Sequence, residues 1–218
     1  MFSPLGTIGL IIACLLRTPL RLVGALILVF ACVLALRTVQ PDVLVATSGD
    51  SFAVRGPEGR LQVIRLGNDA FAIHEWLAAD GDARSDPRAV AAAVKAREGF
   101  ACDDAGCVAQ LARGGLVAIG TSPAALAGDC ARGALVLTTR RAPPECGVTV
   151  VDRSASRQGG ALALRRVGDA WEVTAARPRG EERPWAAAGG AARVSVPKTG
   201  TAARDDATPR AEDLGADD

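Results

Sequence analysis

Two apolar runs open the chain, at residues 2–16 and 22–36, and a short polar segment with two arginines and a proline separates them. Each run approaches the roughly 17 to 25 residues of helix that span a ~30 Å hydrocarbon core. Pro19 lacks a backbone donor and disfavours helix at Thr18, so the polar segment is predicted to be a turn. The pattern predicts a transmembrane helical hairpin over residues 1–38.

The orientation of this hairpin follows from its arginines. The positive-inside tendency places Arg17 and Arg21 on the cytoplasmic side, although Arg37 at the far end weakens the prediction. A cleaved secretory signal is the alternative, but residues 1–16 contain no basic residue and Leu34-Ala35-Leu36-Arg37 is a poor cleavage site. Both ends of the hairpin are therefore expected to face outward.

After the hairpin the pattern alternates between strands and helices, which predicts one layered α+β domain over residues 41–185. Gly56-Pro57-Glu58-Gly59 predicts a hairpin turn between two of the strands, and the order strand, helix, strand near residue 120 predicts a layered sheet. Strands are predicted at 42–47, 51–55, 61–65, 116–119, 134–138, 148–151, 161–165 and 171–175. Helices are predicted within 69–81, from Pro87 to Arg97, and from the Ser122 cap and Pro123 to Asp129.

Residues 186–218 contain almost no large apolar side chain and are rich in Ala, Gly, Arg and Asp. Such a segment buries too little apolar surface to offset the conformational entropy lost on ordering, so a disordered tail is predicted. The remaining composition, with 24 glycines, no tyrosine and 4% aromatic residues, indicates genome bias and no particular chemistry.

Four of the six cysteines, Cys102, Cys107, Cys130 and Cys146, lie in the predicted soluble domain. An outward-facing domain is in an oxidising compartment, so two disulfides are predicted, with free thiols and a zinc site as the alternatives. The spacings lack the paired short Cys-x-x-Cys units typical of structural zinc. Three connectivities exist, and Cys102–Cys107 with Cys130–Cys146 is favoured because each closes a short loop. Cys14 and Cys32, in the apolar runs, are expected to be small apolar packing residues.

The formal net charge is +1, so no field over the whole surface would attract nucleic acid, but arginines in neighbouring segments predict a local basic face at one edge of the sheet. Such a face would hold a DNA backbone without reading bases. Ordinary solvated arginines are the alternative. Trp171 and Trp185, the nearby aromatic residues, are expected in the core. The candidate contacts are Arg140, Arg141, Arg153, Arg157, Arg165 and Arg166.

Several segments, taken in order, resemble one family. The segment 48–60, Ser-Gly-Asp-Ser-Phe-Ala-Val-Arg-Gly-Pro-Glu-Gly-Arg, resembles the strand-turn-strand that opens the metallo-β-lactamase-like domain of ComEC-type competence proteins, with Asp50 at the family aspartate. The order of the later segments is similar to the C-terminal region of short proteobacterial ComEC proteins, over about residues 1 to 185. Those segments are Glu75-Trp76-Leu77, Asp80-Gly81-Asp82, Cys102-Asp103-Asp104-Ala105-Gly106-Cys107-Val108, Asp129-Cys130-Ala131-Arg132, Val151-Asp152-Arg153 and Arg183-Pro184-Trp185.

The resemblance implies a degenerate metallo-β-lactamase-like domain, because active hydrolases of that fold carry a His-x-His-x-Asp-His cluster and further histidines. This chain has one histidine, His74, which is expected to be a partly exposed helix residue. No phosphate-binding loop or nucleophile elbow is present in the sequence, and Asp80-Gly81-Asp82 is expected to be a turn, since the later ligands of a calcium loop are missing. We therefore expect no enzyme activity and no cofactor.

Together these features predict a membrane-anchored fragment or subunit of a ComEC-type DNA-uptake channel in the bacterial inner membrane, with its soluble domain in the periplasm. The resemblance implies two partners, a competence channel subunit and single-stranded DNA. The chain lacks the many-helix channel region of the family. The alternative is a membrane-anchored periplasmic interaction module unrelated to DNA.

Overall fold

The computed structural model describes residues 4–15, 20–36, 39–68, 70–141 and 146–177. It divides the chain into two compact units, Met1–Asp42 and Val43–Asp218. Three predictions lie outside the described residues: the turn at Arg17-Thr18-Pro19, the tail 186–218, and the core position of Trp185. Arg37, on which the topology prediction partly depends, lies outside them as well.

The first unit contains two helices, α1 (Pro4–Leu15) and α2 (Leu20–Leu36). Two glycines bring their backbones into contact: a Cβ atom added at Gly24 would lie 2.6 Å from the backbone nitrogen of Ala13, and one added at Gly9 would lie 3.0 Å from that of Leu28. Small residues at a helix contact permit this close approach. The larger apolar side chains consequently point outward on both helices. The exposed ones are Ile8, Leu10, Ile11, Leu15, Leu22, Val23, Leu26, Val29, Phe30, Val33 and Leu34.

Within the described residues, no helix combines the length and the apolar character that crossing a membrane requires. The two predicted helices are present, but the transmembrane prediction for them is not supported. The 17 residues of α2 extend about 26 Å at 1.5 Å per residue, which is less than a hydrocarbon core of ~30 Å. Cys14 and Cys32 are both exposed, so the expectation that they pack inside this unit is wrong.

The second unit is a mixed α+β structure with two five-stranded sheets, as the layered pattern predicts. Its first sheet, here called the antiparallel sheet, has the order β10-β9-β1-β2-β3; the second, here called the mixed sheet, has the order β4-β5-β6-β7-β8. The strands are β1 (Val43–Val45), β2 (Ser51–Arg55), β3 (Leu61–Arg65), β4 (Phe100–Cys102), β5 (Gly106–Gln110), β6 (Leu116–Gly120), β7 (Leu135–Thr138), β8 (Thr149–Val151), β9 (Leu162–Val167) and β10 (Ala170–Ala175).

The helices of this unit are α3 (Phe71–Ala79), α4 (Pro87–Ala96), α5 (Pro123–Arg132) and α6 (Arg153–Gly159), with a single 3₁₀ turn at Ala83–Ser85. The predicted helix starts are confirmed. The Ser122 hydroxyl accepts the backbone N–H of Ala125 at 3.2 Å, and Pro123 occupies the first turn. Sequence patterns missed β4, β5 and α6, because these elements are short and rich in Cys, Gly, Ser and Arg.

Three apolar clusters arrange these elements in four layers. The central cluster lies between the two sheets and includes Phe52 and Leu164 from the antiparallel sheet and Ile119 and Leu137 from the mixed sheet. A second cluster packs α3 and α4 on the outer face of the antiparallel sheet. A third cluster packs Leu126 of α5 on the outer face of the mixed sheet. The order of layers is therefore helix, sheet, sheet, helix.

Partly buried ion pairs fasten the segment between α3 and α4 to the antiparallel sheet. Arg55 of β2 lies 2.7 Å from the carboxylate of Asp80, and the two side chains are only 10% and 13% exposed. Arg84 lies 2.6 Å from Asp82 and also donates to the carbonyl of Leu61 at 2.7 Å. The predicted turn at Asp80-Gly81-Asp82 is confirmed, and its two carboxylates hold arginines.

Candidate functional site

The carboxyl ends of three parallel strands lie side by side in the mixed sheet. Strands β6, β7 and β8 run in parallel, with Ala118 opposite Val136 and Val136 opposite Val150. Ligands of open α/β sheets bind outside the carboxyl ends of parallel strands. The residues that follow these strands, 121–122, 139–141 and 152–157, form what we call the carboxyl-end surface.

Hydrogen bonds fix the backbone where β7 ends. The buried hydroxyl of Thr138 donates to the carbonyl of Gly120 at 2.9 Å and accepts the backbone N–H of Arg140 at 3.1 Å. The Nε of Arg140 donates to the carbonyl of Thr121 at 2.7 Å. Arg140 is therefore tied to the end of β6, while the rest of its guanidinium faces solvent. Nothing in the sequence indicated this role for Thr138, because a threonine in a strand usually packs against neighbouring side chains.

Asp152, which follows β8, caps helix α6. Its carboxylate accepts the backbone N–H groups of Ser154 and Ala155 at 2.9 and 3.1 Å, and the Ser154 hydroxyl at 2.5 Å. Asp152 is only 9% exposed, so its main effect is to set the direction of α6. This direction places Arg153 and Arg157 one helical turn apart, and both are exposed.

The β1–β2 turn packs against the start of α6. Gly49 has a φ of +72°, and a Cβ atom added there would lie 2.5 Å from the hydroxyl of Ser156. The next residue, Asp50, accepts a hydrogen bond from Ser48 at 2.5 Å and leaves no room for a Cβ atom at Gly67. Asp50 is thus positioned next to the carboxyl-end surface, where it organises a turn.

Four of the six predicted arginines belong to this surface: Arg140, Arg141, Arg153 and Arg157. Arg141, Arg153 and Arg157 are exposed. Within the described parts of the chain, no carboxylate lies within 4 Å of any of these four side chains. The only hydrogen bond found for their guanidinium groups there is the one from Arg140 to Thr121. Within the described residues, none of the four therefore forms an ion pair.

The other two predicted arginines lie at the opposite end of the sandwich, so the six do not form a single face. Arg166 donates to the carbonyl of Gly114 at 2.7 Å, in the turn that precedes β6. Arg165 forms a short ion pair with Glu172 on the neighbouring strand. Strand β9 runs away from the carboxyl-end surface, which carries both residues to the amino ends of β6 and β7.

Burial raises the pKa of one acid beside this surface, Asp129. The carboxylate of Asp129 on α5 would be 3.2 Å from a Cβ atom at Gly120, where β6 ends. Burial raises the pKa of Asp129, partly opposed by Arg132, while Asp103 raises it further. Asp103 itself has a lowered pKa, because its carboxylate accepts the backbone N–H groups of Gly106 and Ala105.

Both predicted cysteine pairings are present as disulfides, Cys102–Cys107 and Cys130–Cys146. The first joins directly opposite residues of β4 and β5. The second joins α5 to the segment that precedes β8, next to the third apolar cluster. Both crosslinks therefore belong to the mixed sheet or to its covering helix.

Metal-binding geometry is not found in the described residues, which contain no group of three or more His, Cys, Asp or Glu side chains placed to hold an ion. His74 lies on α3 with 42% of its side chain exposed and contacts Glu75 at 3.2 Å, as expected for a partly exposed helix residue. Trp171 is 9% exposed within the central cluster and donates to the carbonyl of Ala134 at 3.1 Å. Its predicted core position is confirmed.

A small open cavity of about 120 Å³ lies beside β3. The side chain of Gln62 is enclosed there between two glycines: Cβ atoms added at Gly56 and Gly99 would lie 2.3 and 2.1 Å from its amide atoms. The lining contains two arginines and two glutamates, so its positive and negative charges are equal in number. One of these arginines, Arg84, already binds Asp82. The lining residues are Glu58, Arg60, Leu61, Gln62, Arg84, Glu98 and Gly99.

Comparisons with family models, with curated proteins and with solved structures find no match to this chain. The four-layer fold and the carboxyl-end surface are consequently the two features from which a function has to be inferred.

Proposed function

We propose that this chain is a non-catalytic, membrane-anchored domain of a ComEC-type DNA-uptake protein, and that its carboxyl-end surface contacts the DNA backbone. The four exposed arginines of that surface carry the proposal. Exposed guanidinium groups that form no ion pair within the described residues bind phosphate groups electrostatically and independently of base sequence.

The layer order supports a metallo-β-lactamase-like ancestry for the second unit. Helix, sheet, sheet, helix is the layer order of that fold, and its metal site lies at one edge of the sandwich. In this chain the carboxyl-end surface carries arginines, serines and threonines together with Asp152. We infer that a metal-binding hydrolase edge was replaced by a basic edge that holds a polyanion.

The helical hairpin supports attachment to a membrane. Its glycines are used between the helices, and its large apolar side chains face outward, where contact with lipid removes them from water. The two disulfides favour a periplasmic location for the second unit, since disulfides persist in oxidising compartments. A topology reporter fused to the C-terminus of the full chain is expected to give a periplasmic signal. A cytoplasmic signal would contradict the location and the contact with incoming DNA.

The DNA proposal is tested by measuring the binding of a fluorescent single-stranded oligonucleotide to the full chain over a series of salt concentrations. Each phosphate contact on a single strand contributes roughly 0.7 to the slope of log affinity against log salt. Replacing Arg153 and Arg157 by Ala is expected to reduce this slope by about 1.4. The matched control replaces Arg165 and Arg166, at the opposite end, and is expected to leave it unchanged.

Absence of binding by the wild-type chain at low salt would contradict the DNA role, and so would an equal loss in both double variants. A second candidate function, an interaction module unrelated to DNA, is favoured by the engagement of Arg140, Arg165 and Arg166 with groups of the domain itself. Absence of oligonucleotide binding would favour this second function, whereas binding that is insensitive to all four substitutions would overturn the assignment of the DNA contact to the carboxyl-end surface.

A further inference from the structure

Strand β10 is the free edge of the antiparallel sheet: within the described residues its only neighbour is β9. Its six residues pair with β9 without a bulge, and it contains no proline. An edge strand that is long and regular presents unpaired backbone groups to a further strand. We propose that β10 pairs with β10 of a second copy of this chain, which joins two antiparallel sheets into one continuous sheet.

The backbone pattern shows which groups are available. The N–H of Ala176 donates to the carbonyl of Ala161 at 2.8 Å. Because hydrogen-bonded pairs alternate along an antiparallel ladder, Thr174 and Glu172 also bond to β9. The N–H and C=O groups of Trp171, Val173 and Ala175 therefore point away from β9, toward the free edge.

The charge pattern favours a second copy as the occupant. An antiparallel pairing centred on Val173 places Trp171 opposite Ala175, and Glu172 opposite Thr174. Glu172 is the only charged residue of β10, and in this pairing it faces a neutral residue of the other copy. Like charges opposite each other would destabilise the pair, and this register avoids them.

Apolar contact favours the same pairing. Val173 and Ala175 are only partly buried at the rim of the central cluster. A second copy would cover each rim with the identical rim of its partner and thereby extend the core across the junction. The opposite edge of this sheet is less available, because the carbonyl of Leu61 in β3 already accepts a hydrogen bond from Arg84 at 2.7 Å.

The proposal is tested by the oligomeric state of the full chain in a mild detergent, measured by sedimentation over a range of protein concentrations. Thr174→Lys places a positive charge opposite Glu172 twice in the dimer, and Thr174→Glu places a negative charge there. Opposite-charge cross-strand pairs are stabilising and like-charge pairs destabilising. We expect the dissociation constant to fall about fivefold with lysine and to rise about fivefold with glutamate.

Ala91→Lys and Ala91→Glu provide the matched control, because Ala91 lies on the exposed face of α4; neither should change the dissociation constant. Val173→Pro removes an outward-facing N–H, which an edge strand tolerates, and changes a side chain at the rim of the central cluster. It is expected to abolish the dimer while the circular dichroism spectrum is retained. A wild-type chain that stays monomeric, a dimer that survives Val173→Pro, or a shift of the same sign for both Thr174 variants would each overturn the proposal.

Discussion

The two sheets of the second unit share one core but are fastened by different chemistry. On the outer face of the antiparallel sheet, the segment between α3 and α4 is held by partly buried ion pairs such as Arg55–Asp80. In contrast, both disulfides lie in the mixed sheet or its covering helix. Ion pairs depend on pH and on both charges being present, whereas disulfides depend on the redox compartment. The two sheets should therefore respond to different perturbations.

The two sheets also differ in where their basic residues lie, and strand direction explains why. Parallel strands bring three loops to one edge of the mixed sheet, and those loops carry the exposed arginines. The antiparallel sheet reverses direction at every strand, so its arginines are distributed to both ends, and several of them pair with carboxylates such as Glu172. Topology thus explains why one sheet presents a basic edge and the other does not.

The largest effect is expected from Asp80→Ala in the antiparallel sheet. The substitution leaves the guanidinium of Arg55, 10% exposed, without this carboxylate, and breaking a buried pair costs about 3 kcal/mol or more. Chemical denaturation of the full chain measures the change in the free energy of unfolding. The double variant Arg55→Met with Asp80→Leu removes both charges, and its free energy of unfolding is expected to fall by less. A loss below about 1 kcal/mol for Asp80→Ala would refute the role of this pair.

A somewhat smaller effect is expected from the disulfides of the mixed sheet, and the two should differ. The Cys130–Cys146 bond closes a longer loop than Cys102–Cys107, with sequence separations of 16 and 5. Replacing both cysteines of a pair by serine is expected to cost about 3 kcal/mol for the longer loop and about 2 for the shorter. Denaturation without reductant measures both variants. The reverse order, or free thiols at these positions in alkylated wild-type protein, would contradict the assignment.

The smallest expected effect is a change in the pH dependence of stability. Its sign should differ between Asp82, beside the antiparallel sheet, and Asp129, on the helix that covers the mixed sheet. The hydrogen bond from Arg84 lowers the pKa of Asp82, so its contribution is present above the unfolded pKa and is lost as the pH falls through the lower folded pKa. Burial raises the pKa of Asp129. Its ionisation therefore destabilises the folded state as the pH rises from the unfolded pKa through the higher folded pKa.

The wild-type chain should lose the contribution of Asp82 in acid, at a pH below the usual pKa of an aspartate, and Asp82→Asn should remove this loss. Ionisation of Asp129 should destabilise the wild-type chain at a pH above the usual pKa of an aspartate, and Asp129→Asn should remove that second loss. Denaturation midpoints measured as a function of pH for the two variants and the wild type provide the comparison. Profiles that shift in the same direction for both variants would show that these carboxylates do not have opposite environments.

Local patterns determined much of the second unit, because most of its elements are defined by neighbouring residues. Strands β2 and β3 agree with their predicted bounds, since the Gly56–Gly59 turn limits both. Helix α5 begins where the Ser122 cap and Pro123 predict it. In contrast, β5 depends on pairing with β6, and α6 depends on the Asp152 cap and on Ser156 packing against Gly49. Contacts between distant residues decide such elements, and periodicity does not reveal them.

Composition and spacing along the chain predicted the two apolar helices and the mixed α+β class, and they favoured the short-loop pairing of the cysteines without excluding the other two connectivities. The pairing itself was established by the folded structure. The fold alone placed Arg153 and Arg157 with Arg140 and Arg141 at one edge, and Arg165 and Arg166 at the other. The physical reason is that strand direction and sheet order, which bring distant segments together, are set by packing of the shared core.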